Sequence, residues 1–189
     1  MSSKKFDWTI WFENNEELSK SFNFYLKKGL IKEEKETKSL SNSHLNKTNY
    51  NLDFINFLEE NNVFFDWEVV GCYYAIYHAS LALLVKKGYS SKNHLATLCA
   101  LIKFYYIPEK EPDNKKEKSL SKEEIELVSI SSLEKQEVAY FTEAKDKRET
   151  ASYGVKSSFK QDETKELKLK TIKFVNKCKL ILEEMNSKT

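Results

Sequence analysis

Among the 31 basic residues of this 189-residue chain, only Arg148 is an arginine. A guanidinium grips phosphate or carboxylate through paired hydrogen bonds that an ammonium cannot reproduce. Such recognition therefore has one place to occur, with a surface or interface ion pair as the plainer reading of Arg148. Of the three histidines, His44, His78 and His94, His78 and His94 are the candidates for proton transfer near neutral pH, since a free imidazole titrates at about 6.5. His78 sits in the most apolar stretch. It reads either as a core residue with a satisfied hydrogen bond or as the lining of a polar pocket shared with Tyr74 or Tyr77. His94 falls in the first turn of a helix, where free backbone N–H groups bind anions or the side chain merely supports the cap. The three histidines lack the spacing of a local metal site, and neither metal nor cofactor is expected.

From Lys165 to Lys179 the chain carries six lysines and one glutamate, with Lys170, Lys173 and Lys177 on a similar helical face. A solvated face is the default, and a phosphate-binding stripe that releases counterions is the alternative. Glu183 and Glu184 weaken that alternative. Cys72, Cys99 and Cys178 are odd in number and far apart, which disfavours disulfides and fits a reducing, cytoplasmic setting.

These residues need a scaffold, and glycine marks its joints. Lys28-Gly29-Leu30, Lys87-Gly88-Tyr89 and Tyr153-Gly154-Val155 repeat a helix-stop pattern, glycine taking the left-handed conformation before an apolar residue. Reading back from these stops gives helices over about Glu16–Lys28, Ser41–Glu60 and Asp66–Lys87, with Asp66 as an N-cap. A further helix runs from after Ser90/Ser91 to about Tyr106. The Ser121/Glu124 pair starts a helical region that ends at Gly154, with a break at Ser129–Ser132, and a last helix covers about Asp162–Met185. Trp67, Val70, Tyr74, Tyr77, Leu81 and Leu84 recur at three to four residues along the third helix, which is apolar all round and therefore central. Gly71 inside it costs about 1 kcal/mol relative to alanine, and close approach of a neighbouring backbone is the expected compensation.

Composition agrees with an all-α domain. Four glycines and two prolines are too few for the turns of an all-β fold. A net charge of +2 announces neither a nucleic-acid binder nor a membrane-surface protein. The apolar run Val69–Val85 approaches bilayer-spanning length, but Tyr73, Tyr74, Tyr77, His78 and Ser80 interrupt it. The first residues, MSSKKFDWTIWFENN, contain no signal-like apolar core. Phe6, Trp8, Trp11 and Phe12 make residues 1–40 an aromatic arm and first helix packed on a bundle formed by residues 41–189. The architecture expected is an antiparallel up-and-down bundle of five to six helices.

Two segments carry a family resemblance. Asp66-Trp-Glu-Val-Val-Gly-Cys-Tyr-Tyr-Ala-Ile-Tyr-His78 continues to Gly88-Tyr-Ser-Ser-Lys-Asn-His94, and Arg148-Glu-Thr-Ala151-Ser-Tyr153 precedes the last helix. Together they resemble the prokaryotic HEPN domains, with their YYAxxH-type helix and later RxxAxY-type element, over about Ser41–Met185. The resemblance implies a helical bundle, often homodimeric. It also implies a role in RNA processing or toxin–antitoxin systems, often beside a nucleotidyltransferase-type partner. Its nuclease members are metal-independent endoribonucleases, with an arginine followed four to six residues later by a histidine.

Here Arg148 is present, but the histidine window holds Tyr153, Gly154 and Val155. A phenol with a pKa of about 10 is ionised roughly one time in a thousand at neutrality, and tuning it to 7 takes ~4 kcal/mol. The expectation is therefore a non-catalytic binding module for RNA, a nucleotide or a protein partner, with Arg148, Tyr153, His78, His94 and Tyr74 as ligand-binding candidates. The alternative is a metal-independent endoribonuclease using Arg148 with Tyr153 or a histidine. A helical interaction protein with no nucleotide role is the third reading. Arg148 and Tyr153 lie about 140° apart around a regular helix, so a shared site requires the helix to end at Gly154.

Overall fold

Polar caps and left-handed residues define most of the helix ends. The computed structural model describes residues 6–35, 38–106, 130–155 and 159–187. After a single turn α1 (Ile10–Glu13), helix α2 (Asn15–Lys27) starts where the Asn14 side chain accepts the Glu17 backbone N–H at 3.0 Å. Gly29, at φ +66°, ends that segment and delivers the chain into strand β1 (Ile31–Glu33). Gly88, at φ +76°, does the same after the central helix, ahead of strand β2 (Tyr89–Ser91). The strands pair antiparallel, with Ile31 opposite Ser91. Three-residue strands are too short to show a period of two, so this sheet was not legible in the sequence.

The remaining helices are α3 (Lys38–Asn61), α4 (Phe65–Lys86), α5 (His94–Tyr105), α6 (Lys135–Tyr153) and α7 (Gln161–Ser187). The described residues thus hold seven helices against the five to six expected, the turn α1 being the addition. The Ser121/Glu124 pair lies outside the described residues. Helix α6 begins at a capping box between Glu134 and Glu137, whose Oε2 accepts the Glu134 N–H at 2.9 Å.

Cross-helix contacts fix the directions. Ser41 meets Ala82, His44 meets His78 and Ile55 meets Gly71, so α3 and α4 are antiparallel. Phe141 lies by Tyr77 and Arg148 by Tyr74, so α6 is antiparallel to α4 as well. Helix α5 breaks the strict up-and-down pattern. His94 sits by Tyr73 and Tyr105 bonds the Leu83 carbonyl, so it runs parallel to α4, because β2 first carries the chain back. Helix α4 packs against α3, α5, α6 and α7. It is the one described helix long and apolar enough to cross a membrane, but 83% of its most apolar window is buried inside the protein, which accounts for its composition.

Several expectations need correction. The deepest face of α4 runs through Val69, Cys72, Tyr73, Ile76, Ala79 and Leu83, whereas Trp67 is 60% exposed. A helix apolar on every side gives periodicity little to discriminate. Asp66 is not the N-cap: Phe64 enters α4 in the left-handed region at φ +55°, and Asp66 Oδ1 accepts the Phe159 N–H at 3.2 Å. Gly71 accommodates a side chain rather than a backbone, since a Cβ there would lie 2.8 Å from Ile55 Cγ1. Gly154 does end α6, but its φ is −65°, so the chain leaves extended and the glycine is not used for left-handed geometry.

Helix α3 is unusual in turning polar residues inward. Ser41, Thr48 and Asn51 are buried with Ile55 and Leu58, and their side chains donate to the carbonyls of Ala82, His44 and Lys47. Tyr50, Phe54 and Phe57 face outward, each more than a third exposed. On α4 a full carboxyl, Glu68, is sealed in. Burial raises its pKa, while Thr164 and Lys168 oppose that rise in part. The Thr164 hydroxyl donates to the Gln161 carbonyl at 2.9 Å, and both Glu68 oxygens lack a partner among the described residues.

Candidate anion site around Arg148

Antiparallel packing of α6 on α4 lays Arg148 across a row of tyrosines. Its guanidinium carbon lies 5.9 Å from the Tyr73 ring centre, 6.0 Å from Tyr74 and 5.6 Å from Tyr153. Such distances are those of cation–π contact. Its Nη2 donates to Tyr74 Oη at 3.5 Å, while Nε is buried without a partner. The neighbouring carboxylate of Glu149 is taken by Lys145 at 2.6 Å. Among the described residues no carboxylate pairs with Arg148. Burial disfavours its cation, but the Tyr74 and Tyr153 hydroxyls outweigh that effect and hold the group above its ordinary pKa. The result is a positive charge that, among the described residues, meets tyrosine rings and hydroxyls rather than a carboxylate, with donor capacity left over.

Tyr73, beneath the guanidinium, is fully buried, and its hydroxyl bonds His94 Nδ1. Burial, followed by neighbouring Tyr77, pushes the Tyr73 phenol well above its ordinary value, so it stays protonated and acts as the donor. That assignment leaves the His94 proton on Nε2. Burial lowers the His94 pKa, and the charges of Arg148 and Lys145 lower it further, so the ring is neutral at pH 7. Its one proton-accepting nitrogen is occupied by Tyr73. Asn93 caps α5 by accepting the Ala96 N–H at 3.0 Å, which occupies a donor that the anion reading of that helix end had left free. His94 also lines a cleft of ≈ 510 Å³ with Trp8, Phe141 and Lys145.

A second groove, of ≈ 320 Å³, flanks the end of α6 between Phe64, Asp66, Trp67, Val70, Ala151 and Ser152. Phe64 (69% exposed), Trp67 and Tyr153 (75% exposed) present rings on this side of the molecule. Of these, Tyr153 lies 5.6 Å from the Arg148 guanidinium, and an exposed ring beside a cation suits a ligand that carries phosphate and base together.

The sequence candidates divide. Arg148, Tyr74 and Tyr153 come together, and His94 joins them through Tyr73. His78 does not: it turns toward α3, where its Nδ1 lies 3.2 Å from His44 Nδ1. Of the lysine stripe, Lys170 is engaged by Glu143 at 2.9 Å and Glu166 at 2.7 Å, while Lys173 is exposed. Lys177 is half-buried and adds to the charge around Glu137. Neighbouring Lys168 pairs with Glu59. Lys170 of the stripe and neighbouring Lys168 are therefore neutralised within the fold. Sequence reasoning missed Tyr73 because the helical spacing favoured Tyr74 as the inward ring. It missed His44 because its partner lies 34 residues away. No group of three or more His, Cys, Asp or Glu side chains gathers around a common point among the described residues. Compared with known proteins, the chain matches no family model and no curated sequence.

Proposed function

We propose that this protein is a HEPN-like, non-catalytic helical module of the cytoplasm that binds the phosphate of an RNA or nucleotide at Arg148. In this reading it works as a homodimer beside a nucleotidyltransferase-type partner, in RNA processing or a toxin–antitoxin-like system. The observation that carries the reading is the lone guanidinium, held on three phenol rings with a buried, unpartnered Nε and no carboxylate counter-ion among the described residues. An ion pair within the chain, the plainer role for Arg148, requires a carboxylate that the described residues do not supply. Tyr74 and Tyr153 orient the cation, the exposed Tyr153 ring offers a face for a base, and His94 offers an N–H. The outward rings of Tyr50, Phe54 and Phe57 on α3 supply apolar surface for a second copy.

Proton chemistry favours binding over cleavage. The lone pair of His94 is taken by Tyr73, and Tyr153 is a phenol. The second reading, a metal-independent endoribonuclease, is favoured by one observation: Tyr73 holds His94 beside the ring that carries Arg148. An RNA titration at two salt concentrations, run with a cleavage assay in excess chelator, tests both. Salt-sensitive binding lost in Arg148→Ala, with intact RNA throughout, is expected. Chelator-resistant cleavage abolished by both Arg148→Ala and His94→Ala would establish the nuclease reading instead.

A further inference from the structure

We propose that His44 of α3 and His78 of α4 form a two-histidine site for a divalent transition-metal ion of the zinc or nickel type, clasping the two helices together. The Nδ1 atoms face one another at 3.2 Å with the rings tilted by 31°. Two imidazole nitrogens bound to one tetrahedral ion at 2.0–2.1 Å stand about 3.3 Å apart. The observed separation is close to an edge of that tetrahedron, so an ion takes the place of the shared Nδ1 proton, which passes to Nε2 of its own ring, and both imidazoles bind in neutral form with little movement of either helix. Burial holds both rings below their ordinary pKa, His78 at about 4, so their lone pairs are available at neutral pH. Both rings are only partly buried, which leaves water room to fill the remaining positions.

The surroundings select among metals. Among the described residues, the titratable groups that act on His78 are His44 and Lys47, so a hard ion such as magnesium gains no carboxylate from them. Lys47 works against any cation, and two protein ligands are half of a structural zinc set, so a dissociation constant on the order of 1–100 μM is expected. The cysteines do not compete. All three are buried, and burial pushes the Cys72 and Cys99 thiols up to about 12.

Because the chain has only three histidines, imidazole proton NMR of the tag-free, chelator-stripped protein reads the site directly. Zinc is expected to move the signals of two histidines with one common midpoint, leave His94 in place, and do neither when magnesium replaces it. His44→Ala and His78→Ala should each abolish the response. Three unmoved histidines at about 1 mM zinc, different midpoints for the two, a response dominated by His94, or retention of the response in either variant overturns the proposal. The wild-type spectrum decides the matter even where a variant fails to fold.

Discussion

Acid should pull α3 away from α4, and the effect should be traceable to one side chain. Burial, then the nearby charges of His44 and Lys47, holds His78 at about 4 against an ordinary 6.5, and burial lowers His44 as well. The folded state therefore takes up protons later than the unfolded chain. Stability present above pH 6.5 is lost as pH falls from there through about 4. The full interval for His78 corresponds to about 3 kcal/mol at about 1.4 kcal/mol per tenfold. The ring is only half-buried and solvent screens its charge, which reduces the expected effect to about 1–2 kcal/mol. For a chain of this length that is roughly 2–8 °C in Tm. The assay is urea or thermal unfolding of wild type and His78→Gln from pH 7 to pH 4, with chelator present. Carboxylates contribute equally to both proteins, so the difference between the curves is the quantity of interest. Wild type should lose about 1–2 kcal/mol more than the variant over this range. Parallel curves would refute the reasoning.

Glu68→Gln should raise stability at pH 7 and above, because it removes a carboxyl whose ionised form is penalised by burial; denaturant midpoints for the two proteins check this, and a fall of more than about 1 kcal/mol would count against it. Gly71→Ala should destabilise despite a gain of about 1 kcal/mol in helix propensity, because the new Cβ meets Ile55 Cγ1 at 2.8 Å. Overpacking of this kind costs about 1–3 kcal/mol, and Ile55→Ala in a double-mutant cycle should recover part of the loss. Arg148→Lys should weaken RNA binding by roughly 10-fold or more, since an ammonium keeps the charge but loses the planar fork; equal affinities in a fluorescence titration would show that charge alone matters. Tyr73→Phe should free the Nδ1 lone pair of His94, and an altered His94 titration by NMR reads that directly.

The helical skeleton was legible because its punctuation is local. Gly29 and Gly88 stop their segments by adopting a conformation that other residues resist, and that constraint is visible one residue at a time. Of the residues that helical spacing places on the inner face of α7, Leu167, Thr171, Phe174, Cys178 and Ile181 are buried, and Met185 is half-buried against the core. Orientation about the axis was harder to read. Helix α4 is apolar on every side, so the sequence placed Trp67 inward when it lies outward. Helix α3 buries serine, threonine and asparagine and exposes aromatic rings, an inversion that side-chain-to-carbonyl bonds permit and hydrophobic patterning cannot anticipate. The residues around Arg148 behaved similarly. Arg148 and Tyr153 were paired from type and spacing and lie 5.6 Å apart, whereas Tyr74 was read beside His78 and lies against Arg148 instead, and Tyr73 and the His44–His78 pair arise from contacts between distant segments.

The account rests on Arg148 acting as an anion receptor, and the chain's single arginine makes that measurable without resonance assignment by elimination. In a nitrogen–proton correlation spectrum the Arg148 Nε–Hε signal stands alone. Titrating in a short single-stranded RNA should move it saturably, in step with the binding isotherm and less so at high salt. An Nε–Hε signal that stays fixed while RNA binds elsewhere, or while no RNA binds at all, contradicts the account.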